Sequence, residues 1–244
     1  MDIRFNDRKE MNSFPKLIIP SLFCFLSLRA IQAQNLETIE VSDLETWSSI
    51  QVEYELNKQW SFELEEQLRL KNNSTEIGSY FTEFTTSYKL PSSVKLALGL
   101  RYNRENDNKG AKQGIREHFR YQFDVSYKHE LENLELSYRL RYQNRQEFSF
   151  TETVEKDAVQ KMRFKTSLDY NIKKWKIDPS LSAEIFNQLS GNQTGFDAFR
   201  ITAATDYKIK GKGKIGLFYR LERELNVDYP KSTHIIGINY KYSF

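Results

Sequence analysis

The sequence predicts an all-β protein: a single up-and-down antiparallel transmembrane β-barrel of about twelve strands, with ten as the alternative. Three observations predict it. Apolar and polar residues alternate with period two from about Trp47 to the end of the 244-residue chain. Each alternating run lasts roughly 9–13 residues, whereas strands of soluble proteins average about 5–6 and tilted membrane-spanning strands need about 9–11. Aromatic residues make up 14% of the chain, yet its mean hydropathy is −0.66. That pairing suits a barrel, in which only every second residue meets lipid. It excludes a helical membrane protein, because no stretch beyond residue 33 approaches the roughly 20 apolar residues of a spanning helix.

Residues 1–33 read as a signal peptide, and residues 34–244 as the barrel domain. Lys16 precedes an apolar core, Leu17 to Leu28, and Ile31-Gln32-Ala33 puts a small residue before a cut at Ala33/Gln34. Cys24, the single cysteine, lies inside that core behind Leu22-Phe23, which is not a lipoprotein pattern. Residues 34–244 therefore contain no thiol and form no disulfide. Of the 36 Lys/Arg and 33 Asp/Glu, five and three fall in residues 1–33, leaving 31 against 30 beyond it. A near-neutral remainder gives no case for nucleic-acid binding.

Eleven alternating segments follow in order. Their apolar phases contain Ile50 to Leu56, Trp60 to Leu70, Tyr80 to Leu90, Leu96 to Tyr102 and Phe119 to Tyr127. Leu134 to Tyr142, Met162 to Ile172, Trp175 to Ile185, Phe199 to Ile209, Ile215 to Leu221 and Ile236 to Phe244 complete the set. Tight turns are expected at 57–58, 91–93, 132–133, 173–174 and 210–213. Longer polar loops are expected over 72–78, 105–115, 147–159, 187–196 and 225–232. Short periplasmic turns and longer outer loops are the habit of outer-membrane barrels. Trp60, Trp175, Tyr54, Tyr88, Tyr127, Tyr170 and Tyr207 sit near the short turns in the apolar phase, where an interfacial aromatic girdle belongs. The chain ends in Tyr240, Tyr242 and Phe244 at alternate positions, the pattern of a closing strand read by barrel-assembly machinery. With a periplasmic C-terminus, eleven segments put the start of the first outside. Residues 35–46 then supply a twelfth strand or thread the lumen.

The polar phase is expected to face inward. Its candidate functional residues are a lumen charge cluster: Glu53, Glu63, Glu65, Glu83, Arg101, Arg120, Arg139, Arg141, Arg163 and Arg220. Carboxylates dominate the early segments and arginines the middle ones. Two readings follow. Cross-strand ion pairs satisfy the charges and stiffen the wall; or a transverse field orients a zwitterionic or anionic solute in a narrow channel. The alternatives in function are an embedded hydrolase and a soluble periplasmic ligand-binding barrel. Catalysis is not expected: the histidines are His118, His129 and His234, and Thr233 next to His234 points to the opposite face. Nor is a metal or other cofactor, since scattered histidines without cysteine give no ligand spacing. The expected partners are outer-membrane lipid and the assembly machinery.

Three pieces carry a family resemblance: Trp60-Ser-Phe-Glu-Leu-Glu-Glu-Gln-Leu-Arg69, Leu140-Arg-Tyr-Gln-Asn-Arg145 and Trp175-Lys-Ile-Asp-Pro-Ser-Leu181. They are similar to an uncharacterised bacterial barrel family, domain of unknown function 2490, over nearly all of residues 35–244. The resemblance implies a barrel and an outer-membrane location. It implies no activity, substrate or catalytic residue.

Overall fold

The computed structural model describes residues 41–108, 113–148, 158–172, 175–191, 194–211 and 213–244. The expected signal peptide and residues 34–40 lie outside the described residues. Eleven strands run in chain order: β1 (Val41–Glu55), β2 (Trp60–Lys71), β3 (Glu76–Lys89), β4 (Val94–Asp107), β5 (Gly114–Leu131) and β6 (Leu134–Phe148). β7 (Val159–Tyr170), β8 (Ile177–Gln188), β9 (Gly195–Ile209), β10 (Gly213–Glu224) and β11 (Lys231–Ser243) follow. Each pairs with its chain neighbours, and β11 closes the barrel against β1.

The closure corrects the expected count. Among the described residues neither twelve strands nor ten form; there are eleven, and one seam is parallel. A meander reverses direction at every turn, so an odd number brings its first and last strands into the same direction. The β1–β11 register runs from Val41 opposite Lys231 to Glu53 opposite Ser243. Val41 to Thr46, considered as part of an additional strand, instead belong to β1. β1 therefore starts at the end of the barrel where β11 starts.

Alternation in sequence becomes alternation in space because successive side chains of a strand leave opposite faces. Ile50, Leu64, Phe84, Leu98, Phe123, Leu140, Phe164, Leu181, Ile201, Leu217 and Ile238, one from every strand, are 44–59% exposed on the outside. The opposite phase holds the buried polar residues, among them Glu83, Arg101, Gln122, Asp124, Gln143, Arg163 and Glu184. The barrel is thus apolar outside and polar inside. Glu66 is an outward-facing exception, accepting a hydrogen bond from Thr82 Oγ1 at 2.6 Å. The girdle aromatics also face out: Tyr54, Trp60, Tyr127, Tyr170, Trp175 and Tyr207 are exposed, and Trp60 packs on Tyr88 with ring centroids 4.8 Å apart.

The loops differ from expectation at one end. β2 continues to Lys71 and β3 begins at Glu76, so 72–75 is a tight turn rather than a long loop. Asn72, Asn73 and Ser74 take φ of 54, 55 and 62° there. The turn is pinned to β1: Asp43 accepts from Asn73 N at 2.9 Å, and Ser74 N donates to the Leu44 carbonyl at 2.9 Å. The expected 105–115 loop likewise shrinks, because β4 runs to Asp107 and β5 starts at Gly114. The contrast between the two ends persists but is weaker than the alternation suggested, since several strands extend past their apolar stretch.

Candidate functional site

The inward phase of the sheet builds one continuous polar lumen. Backbone pairing sets which charges meet. Glu83 of β3 lies opposite Arg101 of β4, which lies opposite Arg120 of β5. Arg101 Nε donates to Glu83 at 2.6 Å, Arg120 Nη2 at 3.0 Å and Gln122 Nε2 at 3.0 Å. One carboxylate thus serves three donors from two strands. Across the next pair, Arg141 holds Asp124 through Nε and Nη2, both at 2.7 Å. This bidentate fork is the strongest common form of side-chain ion pair.

A second hub mirrors the first. Glu184 of β8 accepts from Arg163 Nε at 3.0 Å and Nη2 at 2.9 Å, and from Arg139 Nη2 at 2.7 Å. Arg200 of β9 approaches it at 3.4 Å and also donates to Glu222 through Nε at 2.7 Å. Near the short turns, Lys241 of β11 bridges Glu53 of β1 at 2.9 Å and Glu63 of β2 at 2.5 Å. The ion-pair reading therefore describes Glu53, Glu63, Glu83, Arg101, Arg120, Arg139, Arg141 and Arg163. Burying such charges is tolerable only because each has a close, hydrogen-bonded counter-charge.

Two members of the expected cluster stand apart. Glu65 makes no ion pair among the described residues and has neutral hydrogen-bond partners, Gln67 Nε2 at 3.4 Å and the side chain of Gln51. Arg220 donates to Thr202 Oγ1 at 3.1 Å and lies over two rings, Phe218 at 4.5 Å and Trp47 at 5.0 Å. The early carboxylates meet cations from nearby strands: Glu83 those of the two strands that follow, and Glu53 and Glu63 the shared Lys241 of β11.

Sequence reasoning missed the aromatic layer inside the lumen. Trp47, Phe81 and Phe186 are buried there. Arg69 stacks on Trp47 at 3.7 Å, Arg101 on Phe81 at 3.3 Å, and Arg163 and Arg200 on Phe186 at 4.5 and 4.8 Å. Guanidinium–ring stacking of this kind gains strength when the pair is shielded from water. The signal was present in the chain: Trp47, Phe81, Phe186 and Phe218 all fall in the polar phase of their segments. Phe218 has room because it faces Gly237; a Cβ on Gly237 would overlap its ring.

Open space remains around this layer. A cavity of about 890 Å³ reaches from Lys95 and Lys128 near the short turns to Leu225 and Val227 at the opposite end. Its wall carries thirteen Lys/Arg and nine Asp/Glu. A second cavity of about 600 Å³ adjoins the end where β1 begins; Arg69, Arg101, Arg120 and Arg145 line both.

The histidines do not gather. His118 faces inward, 3.3 Å from Glu105, whereas His234 faces outward and shares a 2.7 Å hydrogen bond with Tyr219 Oη. Among the described residues, no group of three or more His, Cys, Asp and Glu is arranged to hold a metal ion. At the C-terminal edge, Tyr242 and Phe244 are exposed on the outside. Phe244 is tied to β1 by its N–H to the Glu53 carbonyl at 3.0 Å and by its carbonyl accepting from Glu55 N–H at 2.9 Å.

Comparison with known proteins gives a family and a distant likeness. A family model described as protein of unknown function (DUF2490) matches residues 44–229. No curated protein matches the sequence. The β domain of the Bordetella autotransporter Brka is similar over 73% of this chain and 78% of that one, with 14% identity and a TM-score of 0.40.

Proposed function

The chain belongs to the family described as protein of unknown function (DUF2490), and from its barrel geometry we propose an outer-membrane protein whose narrow, ion-paired lumen passes small solutes. The observation that carries this reading is the inversion of polarity, with a large apolar side chain exposed on every strand and the charges inside. A water-soluble barrel would have the opposite arrangement. Exposing an apolar belt around its whole girth to water would invite association. Bilayer hydrocarbon removes that penalty. Strands of 12–18 residues also exceed the roughly 9–11 needed to cross it.

Export through residues 1–33, cleavage after Ala33 and recognition of Tyr240, Tyr242 and Phe244 by barrel-assembly machinery belong to the same proposal. It assigns the chain no catalytic step. The expected experiment has two parts. The protein should partition with membranes and need detergent for extraction; recovery in the aqueous fraction without detergent would favour a soluble ligand-binding barrel. Refolded into a planar bilayer, it should give small unitary currents. Silence at every voltage would leave a structural barrel and remove the passage.

A further inference from the structure

We infer that the lumen holds a binding site for a small oxyanion carrying two negative charges, of the dicarboxylate or phosphate class, built around Trp47 by Arg69, Arg200 and Arg220. The inference deepens the proposed passage and rests on it only for the route by which the anion arrives.

Three guanidinium groups converge on one indole. Their carbons lie 3.7 Å (Arg69), 5.0 Å (Arg220) and 5.9 Å (Arg200) from the Trp47 ring centroid. Each comes from a different strand: β2, β10 and β9. Like charges gathered inside a protein repel and lose their water, so such a cluster requires compensation. Arg200 has it, through Glu222 and Glu184. Arg69 and Arg220 lack such contact: among the described residues no carboxylate lies within ion-pair distance of either. Arg69 Nε donates to the neutral Gln67 Oε1 at 2.7 Å, and Arg220 Nε to the neutral Thr202 Oγ1 at 3.1 Å. Glu45, two residues before Trp47, is otherwise engaged. It accepts from the indole N–H at 2.8 Å and faces Lys231 at 3.8 Å.

The cluster therefore keeps two guanidiniums that touch no carboxylate, with Glu45 acting on Arg69 and Glu184 and Glu222 on Arg220 only from beyond contact, and each fork retains terminal N–H groups for a ligand. Planar, multi-donor guanidinium suits the oxygens of carboxylate and phosphate. Two forks without a contacting carboxylate call for a dianion rather than a halide. The space fits as well. Trp47, Arg69, Arg200 and Arg220 all line the cavity of about 890 Å³, and Arg69 also lines the second, so the site stands where the two meet. Cavities of about 300–1,000 Å³ accommodate small ligands. The wider wall contributes the same sign of charge.

Trp47 supplies the readout. The chain has three tryptophans, and Trp60 and Trp175 lie outside the barrel. A Trp60→Phe, Trp175→Phe protein leaves Trp47 as the reporter. Refolded in uncharged detergent at constant ionic strength, it is titrated with inorganic phosphate, with succinate and with chloride. Phosphate or succinate should change the fluorescence saturably, and chloride should not. Which of the two binds more tightly identifies the source of the oxyanion. Adding Arg69→Gln with Arg220→Gln should weaken binding about tenfold or more, and the Lys pair should recover part of it. Heat-dependent gel mobility checks that each variant is folded. Calorimetric titration of the unaltered barrel serves if the Gln pair fails to fold. No saturable response to either oxyanion, an equal response to chloride, or unchanged affinity in a folded Gln pair would overturn the site. Binding in a barrel that conducts nothing supports the site and removes only the passage; conductance with a silent Trp47 overturns the site and leaves the passage.

Discussion

At the scale of single residues, the lumen depends on a few carboxylates that each hold several guanidiniums. Glu184 is the clearest case, facing Arg139, Arg163 and Arg200 at once. Glu184→Gln keeps the shape and removes the charge; Arg200 retains Glu222, whereas Arg139 and Arg163 lose the carboxylate they contact. Breaking a buried ion pair from one side costs about 3–5 kcal/mol. The expected outcome is a loss of that order in urea unfolding of the refolded barrel. A change within about 0.5 kcal/mol, as at an ordinary surface site, would mean that water enters the lumen freely enough to replace the carboxylate. Gly237 is the second such residue. It is not a turn residue; it is the floor under Phe218. Gly237→Ala must displace that ring and with it the Arg220 stack, an overpacking loss of about 1–3 kcal/mol by the same assay.

At the scale of elements, the parallel seam is the distinctive join. β1 and β11 are brought together only when the barrel closes, so their contacts are the longest-range in the chain. A lysine pins each end: Lys231 reaches Asp43 at 2.9 Å, and Lys241 reaches Glu53 and Glu63 at 2.9 and 2.5 Å. Lys241→Met leaves Glu53 with Ser243 and Glu63 without a cation. It is expected to lower the temperature at which the compact electrophoretic form converts to the unfolded one, and by more than Lys208→Met. Lys208 is a mostly exposed partner of Asp178, where an ion pair is worth about 0–1 kcal/mol. Equal shifts for the two variants would show that the seam lysine is merely a surface charge.

At the scale of the whole molecule, two expectations separate a membrane barrel from any other. An arginine at Phe123, mid-strand on the outer face, should cost about 2–4 kcal/mol of folding free energy in bilayers. In a barrel standing in water the same change would remove an exposed apolar group and cost little. The odd strand number also orients the ends. Val41 and the β10–β11 connection lie at one end of the barrel, and Ser92 lies at the other. In intact cells an impermeant maleimide should label cysteines at Val41 and Asp228 but not at Ser92. Labelling of position 92 together with either of the others would break the proposed topology.

Much of this protein was legible along the chain. Period-two alternation reports which side of a sheet a residue takes, and it located all eleven strands, the apolar exterior and every member of the charge cluster on the interior. Four out-of-phase aromatics, Trp47, Phe81, Phe186 and Phe218, were legible too as exceptions to the phase, although nothing local says what they stack on. Alternation carries no information about which strand closes on which. It could not distinguish eleven strands from ten or twelve, nor reveal that Asp43 would lie against Lys231 across the whole length of the chain. Tertiary structure alone decided the parallel seam, the pairing of Glu83 and Glu184 with their arginines, and the convergence of Arg69, Arg200 and Arg220 on Trp47. The physical reason is that facing is a property of each strand, set by backbone geometry, whereas charge compensation is a property of neighbours, and neighbours exist only once the sheet has closed.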